Sequence, residues 1–245
     1  MTNANNIQWK RIAAEGVAVV VSILLAFWID TLWEDRQEAR LETMYLLELQ
    51  EDFELNKSRL EDQTAELGET ARSMQVLQEQ SVLKSPSMPV SELNENFSQI
   101  LNMSSMYLLN RAYANMTGSG DLRIIRSRPL KNALAEYYAA ANVITLVQNT
   151  HEMELVQIYE PYIIENLDYA AVAIVRGDEF SLPPPTEEAS ILKVVGTRKF
   201  RNILIQKTVI TTDLINEFRS QLELTDNILL LLKSANSEIA LEGSQ

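Results

Sequence analysis

The chain has 245 residues, 46% of them hydrophobic and 22% charged, and a net charge of −13. So acidic a surface excludes the Lys and Arg footprint that nucleic acid requires, and equally a polybasic patch for anionic lipid. With no cysteine and one histidine, thiolate nucleophiles, thiolate metal sites and multi-histidine centres are excluded within one chain.

The first element is the run from Ile12 to Trp33, which reads as a transmembrane helix. Between Gly16 and Ile29 it holds no charge and one hydroxyl, Ser22. A span needs about 20 mostly apolar residues, and reaching that length takes in Glu15 and Asp30, both near the ends where water is within reach. Trp9 before the run and Trp28 and Trp33 at its far end fit interfacial anchors, since an indole has an apolar body and a polar N–H. A cleaved signal peptide requires small residues after the apolar part. Phe27-Trp28-Ile29-Asp30 is bulky, so the run reads as an uncleaved signal anchor. Lys10 and Arg11 at its start place residues 1–11 in the cytoplasm. The bulk of the chain is then periplasmic or otherwise extracytoplasmic, anchored in the inner (cytoplasmic) membrane. The lack of cysteine is compatible with that compartment.

Ala14, Ala18, Ser22 and Ala26 recur at a spacing of four, and Asp30 continues the series. Small residues let helix backbones approach closely in lipid, so these five form an expected association face. A proton-linked stator needs its carboxylate well inside the bilayer, whereas Asp30 sits at the edge.

Beyond Trp33 no proline intervenes before Pro86. Apolar residues recur every seven: Leu32, Ala39, Leu46, Phe53, Leu60, Leu67 and Met74. The companion stripe is half polar, with Leu49 and Leu77 but also Asn56, Gln63 and Thr70. A two-stranded coiled coil wants both stripes apolar. The pattern therefore predicts a long helix, continuous with the span, that packs on other helices through the edge Leu46, Phe53, Leu60 and Leu67. Gly68 is a candidate bend.

Pro86 and Pro89 mark a turn, and Ser91 is the expected N-cap of a second helix. Its buried side would run from Leu93, Phe97, Ile100 and Leu101 to Met106-Tyr107-Leu108-Leu109 and Ala112, with Asn102 to Ser105 as a candidate break. Gly118-Ser119-Gly120 ends it as a joint that permits positive φ. Leu122, Ile124 and Ile125 form a connector too apolar to lie in water. Pro129 suits the first turn of a third helix, which carries Leu130, Leu134, Tyr137, Tyr138, Ala141, Ile144 and Leu155 to about Glu160, where Pro161 kinks or restarts it. A further helical piece is expected from Tyr162 to Val175, a proline-rich loop from Arg176 to Pro185, and a short helix from Glu187 to Val195. The last helix is expected from Arg198 to about Ala240, with a frayed tail at 242–245.

Two stretches carry a resemblance. Glu15-Gly16 with the apolar run and Trp33-Glu34-Asp35-Arg36-Gln37-Glu38 form the first. Gly118-Ser119-Gly120-Asp121-Leu122-Arg123-Ile124-Ile125, followed by Pro129-Leu130 and Tyr137-Tyr138, forms the second. Together they resemble a family of uncharacterised bacterial single-span membrane proteins, a domain of unknown function. The resemblance covers about the first 140 residues well and the remainder loosely. It implies a membrane anchor with a helical domain and no particular activity.

Little catalytic chemistry is on offer. His151 lies in a helical stretch with no nucleophile elbow nearby and reads as structural. Gly118-Ser119-Gly120 lacks the further glycine and the lysine of a phosphate loop. Glu48, Glu51, Asp52 and Glu54 read as a solvated face rather than a cation site. Tyr107, Tyr113, Tyr137 and Tyr138 read as aromatic core, or as the wall of a pocket between helices. Arg123, Arg126, Arg128 and Lys131 are expected to pair with the acidic long helix. Arg176-Gly177-Asp178 matches an adhesion tripeptide of a length that arises by chance.

The sequence thus predicts an all-α protein: an N-terminal transmembrane helix at 12–33 leads into a long helix and an antiparallel helical bundle at 34–241. No catalytic residue, metal or cofactor is expected. Its expected role is that of a non-enzymatic structural or interaction protein, self-associating or part of a membrane complex. The partners would be the lipid bilayer and a second copy or another membrane protein, not nucleic acid. The alternative is an extracytoplasmic ligand sensor or an accessory subunit of a membrane transporter or motor complex.

Overall fold

With one proline-free heptad pattern from the apolar run to Pro86, nothing in the local sequence ends a helix, and none ends. Helix α1 spans Trp9–Ser81, 73 residues, or about 110 Å at 1.5 Å per residue. The structure, a computed structural model, describes residues 9–101, 105–173 and 181–242, and side chains only from 15 to 237 within them. Residues 1–8, most of the candidate break at 102–104, Arg176-Gly177-Asp178 and the tail beyond 242 lie outside the described residues, as do the side chains of Trp9 and Ala14.

The other α-helices are α2 (Val90–Ile100), α3 (Arg111–Ser119), α4 (Arg128–Glu154), α5 (Glu160–Asn166), α6 (Tyr169–Val172) and α7 (Arg198–Glu242). A π turn, Leu155–Tyr159, joins α4 to α5, and 3-10 turns occupy Asp121–Arg123 and Glu188–Lys193. No strand occurs among the described residues, so the protein is all-α as the sequence predicts.

Cross-links between helices give the directions. Gln78 donates to Thr208 Oγ1 at 2.8 Å and Lys57 to Asp226 Oδ1 at 2.7 Å, so α7 runs antiparallel to α1. Gln221 donates to the Tyr137 carbonyl at 3.1 Å while Lys207 meets His151, so α4 is antiparallel to α7 and parallel to α1. The remaining column, running back along α1, is broken: α2, an irregular stretch at 105–110, then α3. The result is an up-down-up-down four-column bundle whose second column is not one helix.

The core is a stack of three apolar layers. Nearest the span, Leu46, Leu49 and Phe53 meet Met116, Leu134, Tyr137, Ile228 and Leu232. In the middle, Leu60 and Leu67 meet Met106, Ile144, Leu214 and Phe218. At the far end Met74 and Leu77 meet Phe97, Tyr159, Ile163, Phe200 and Leu204. Leu46, Phe53, Leu60 and Leu67 are all at most 1% exposed, and burial of each contributes about 1.5–3 kcal/mol. The connector is packed too, with Ile125 fully buried and Ile124 nearly so.

Several local expectations are corrected. Leu32 is exposed and Ala39 half-buried, so the heptad enters the core only near Leu41. Ser91 is not the cap of α2. Pro89 holds that position with no side-chain hydrogen bond, its fixed φ already suited to a helix start. Met106 to Leu109 are irregular rather than helical, and Tyr107 is 81% exposed. Gly68 does not interrupt α1. The third helix stops at Glu154, six residues short of Glu160, and gives way to the π turn. The piece from Tyr162 is two short helices, α5 and α6, parted at Leu167. Glu188–Lys193 is a 3-10 turn. The joint at Gly120 behaves as read, with φ +81 capping α3, where a side chain would be strained.

Candidate functional site

Four places carry chemistry beyond packing: the seam between α1 and the broken column, a buried polar cluster between α4 and α7, two open grooves, and the apolar start of α1.

The seam explains why the companion stripe of α1 is half polar. An irregular stretch inside a helical bundle has backbone groups that no helix satisfies. Asn56, fully buried, supplies both partners to Leu109: its Nδ2 donates to the Leu109 carbonyl at 2.9 Å, and the Leu109 N–H donates to Oδ1 at 2.7 Å. Gln148 of α4 does the same from the other side. The Met106 N–H donates to its Oε1 at 2.7 Å, and its Nε2 donates to the Met106 carbonyl at 3.2 Å. Asp52, 1% exposed, takes Arg111 Nε and Nη2 at 2.8 and 2.6 Å on one oxygen and the Ala112 N–H at 3.0 Å on the other. It thereby fills the N-terminus of α3 with a negative charge. Lower down, Glu42 accepts the Arg126 N–H at 2.6 Å, and Tyr45 donates to Asp121 Oδ2 at 2.7 Å. Hydroxyls of Ser119 and Tyr45 hold the Asp121 carboxyl below its ordinary range. Asp52 and Glu42 are therefore buried anchors, not part of a solvated face. Of the basic cluster, two members pair with α1: Arg123 with Glu38 at 2.7 Å and Arg126 with Glu42 at 3.3 Å.

The sole histidine is 2% exposed, and its Nε2 abuts Nζ of Lys207, also 2% exposed. With the lysine charged, Nε2 accepts and Nδ1 carries the proton. Burial, and then the Lys207 charge, lower His151 to about 4. Burial lowers Lys207 to about 8, opposed by Glu154. Lys207 also lies 5.5 Å from the Tyr159 ring centroid. Glu154 is pinned in turn, accepting from Tyr159 Oη at 3.0 Å and Gln206 Nε2 at 3.1 Å. Pro161 accounts for the adjacent π turn. It donates no hydrogen bond and its ring would press on the carbonyl four residues back, so the ladder loosens just upstream. The cavity beside Lys207, bounded by Phe97, Ile100, Tyr162 and Ile203, measures about 10 Å³. That is room for one water at most. The His151–Lys207 contact joins α4 to α7. Sequence reasoning missed it, since nothing local to Lys207 distinguishes it from the exposed lysines.

Among the described residues no group of three metal-ligating side chains occurs. The tyrosines divide. Tyr137 is buried edge-on against Phe53 at 4.7 Å, Tyr113 and Tyr138 stack at 4.2 Å, and Tyr107 stands in solvent. Tyr107, Tyr113 and Tyr138 also wall an open groove of about 390 Å³, and two of the other open grooves are larger still. One of about 850 Å³ lies at the far end between α5, α6 and the turn at 188–193, walled by Tyr162, Asp168, Tyr169, Lys193 and Lys199. Asp168 is occupied there, accepting from the Thr186 and Glu187 N–H groups at 2.7 Å, which hold its carboxyl low. The other, about 740 Å³, lies at the foot of the bundle between α1 and Asp121 to Ile124.

The start of α1 is long and apolar enough to cross a membrane. Every large apolar side chain from Val17 to Trp33, Trp28 included, is 37% to 66% exposed, so no other part of the protein among the described residues covers them. Ala18, Ser22, Ala26 and Asp30 are likewise exposed. Ser22 returns its hydroxyl to the Ala18 carbonyl at 2.8 Å, which removes its polarity from the surface. At a spacing of four the series advances about 40° per step on a 3.6-residue helix. Ala18, Ser22 and Ala26 therefore make one strip, with Asp30 further round.

Comparison with protein-family models, with curated proteins and with solved structures finds no match. The resemblance carried by residues 15–38 and 118–138 rests on those residues alone.

Proposed function

We propose that the chain is a single-pass membrane-anchored interaction protein, with no enzymatic activity. Its N-terminus lies in the cytoplasm, and its helical bundle stands on the extracytoplasmic face of the inner membrane. It self-associates or joins a membrane complex. The observation that carries the reading is the uncovered apolar start of α1, continuous with the helix at the centre of the bundle. So large a bare apolar surface is not left in water, and a bilayer of about 30 Å matches its length. Lys10 and Arg11 support the orientation.

Carbonate extraction followed by protease treatment of intact and opened inner-membrane vesicles tests it. The expected outcome is full-length protein in the pellet, with the bundle cleaved only from the extracytoplasmic side. Release by carbonate defeats the anchor, and cleavage from the cytoplasmic side reverses the topology. A second reading, a ligand sensor, is favoured by the far groove with Tyr162, Tyr169, Lys193 and Lys199 on its walls. A small-molecule thermal-shift screen on Lys199→Ala against the parent separates the two readings.

A further inference from the structure

The groove at the far end meets the first turn of α7, where the sequence is unusual for so acidic a chain. Lys193, Arg198, Lys199 and Arg201 are four cations in a short stretch of a protein whose net charge is −13. α7 has no acidic residue in its first turn. Its opening N–H groups, at Arg198 and Lys199, have no carbonyl of the helix behind them, and the positive end of the helix dipole lies among them. Thr197 caps the helix, its Oγ1 accepting the Phe200 N–H at 3.2 Å. Thr197 and Lys199 both line the groove.

Most of the charge on the groove's walls is already spent. Asp168 accepts from the Thr186, Glu187 and Ala170 N–H groups, and Lys193 pairs with Glu187 at 2.5 Å. Lys199 has no carboxylate partner among the described residues. It rests over the Tyr162 ring, 5.0 Å from the centroid.

Tyr162 gives an independent sign. The residue is 3% exposed, and its hydroxyl is buried without a hydrogen bond, a state that is costly unless a partner arrives. The ring stands between this groove and the small cavity beside Lys207. Its hydroxyl lies toward Thr197, which lines the groove and not the cavity. Lys199, which also lines only the groove, covers the ring.

We propose that this groove binds a small monocarboxylate with an apolar body. The inference rests on the ligand-sensing reading above and names the class of ligand. Lys199 turns off the ring to meet the carboxylate, which uncovers the Tyr162 hydroxyl as a second donor beside the opening N–H groups of α7. The apolar body lies over Ile164 and Tyr169, 70% and 46% exposed on the groove's walls. A dianion such as phosphate is disfavoured, because Glu165, Asp168 and Glu187 stand on the same walls and one lysine of the lining is unpaired.

Isothermal titration of phenylacetate into the full chain in detergent tests this, with phenylacetamide, phenethylamine and inorganic phosphate as controls. The micelle contributes equally to parent and variants. The expected result is saturable binding of phenylacetate at one site, about ten-fold or more tighter than any control. Lys199→Gln and Tyr162→Phe should each weaken it by about ten-fold. Tyr162→Phe removes only an unbonded hydroxyl, so its melting temperature without ligand should match the parent's. A tyrosine of purely structural use would instead lower the melt and leave binding unchanged. Equal binding of phenylacetamide, preference for phosphate, absence of phenylacetate binding, or a Tyr162→Phe variant that binds as the parent does overturns the carboxylate site. If the thermal-shift screen then finds another compound whose effect is lost in Lys199→Ala, the sensor reading survives that failure. If it finds none, both fall.

Discussion

At the scale of single residues, the unusual pair is His151 against Lys207. Burial, and the lysine charge after it, keep the imidazole neutral in the folded protein to a pH of about 4. Unfolded, a histidine takes up its proton near its ordinary value of about 6.5. The folded state thus binds the proton less readily, and stability rises with pH across that window. The contribution is whole above pH 6.5 and is lost as the pH falls toward 4. Its size is on the order of 3 kcal/mol. Thermal melts of the full chain in detergent between pH 4 and 7 should show this slope, and His151→Gln, which keeps an acceptor toward Lys207 but does not titrate, should flatten it. An unchanged slope would assign the acid sensitivity to carboxylates. Lys207, lowered to about 8, adds a second rise between pH 8 and its ordinary value of about 10.4. Asn56 makes a separate prediction. Asn56→Leu keeps the branched four-atom side-chain skeleton but strands the Leu109 N–H and carbonyl inside the bundle, at about 1–3 kcal/mol for each unmade bond. Denaturant titration should show a loss of about 2–4 kcal/mol, with faster hydrogen exchange at Leu109 than at Met106.

At the scale of elements, the small-residue strip of α1 predicts contact between spans. Ala18→Leu with Ser22→Leu adds bulk and keeps the segment apolar. Disulfide cross-linking through Thr31→Cys, clean because the chain has no native thiol, should fall several-fold in the double variant. If it does not, the strip is not an interface. What could be read in advance at this scale follows from period. The seven-residue recurrence through Leu46, Phe53, Leu60 and Leu67, uninterrupted by proline, suffices for α1, and the same reasoning finds α4 and α7. The broken column was not legible, because Met106 to Leu109 have the composition of a buried helix. Their non-helical form is held by amides at Asn56 and Gln148, 53 and 42 residues away along the chain. The polar half of the companion stripe was visible as an anomaly, but its reason needed the third dimension. Likewise the proline at 161 announces a disturbance, yet only packing decides that it takes the form of a π turn rather than a kink.

For the whole molecule, the consequence to draw concerns α1 as a single uninterrupted rod. A protein whose anchor and outer domain are joined by a linker decouples the two. In the arrangement proposed above, the rod that would leave the bilayer at Trp33 is also one column of the bundle up to Ser81, and no glycine or proline lies between Gly16 and Gly68 to serve as a hinge. The outer domain therefore leans wherever the anchor leans. From Trp33 to Ser81 the lever is about 70 Å long. A tilt of about 20°, ordinary for a single span, displaces the far tip sideways by roughly 25 Å. In that proposed arrangement the thickness of the surrounding bilayer, by setting the tilt, would determine which neighbours the tip can touch.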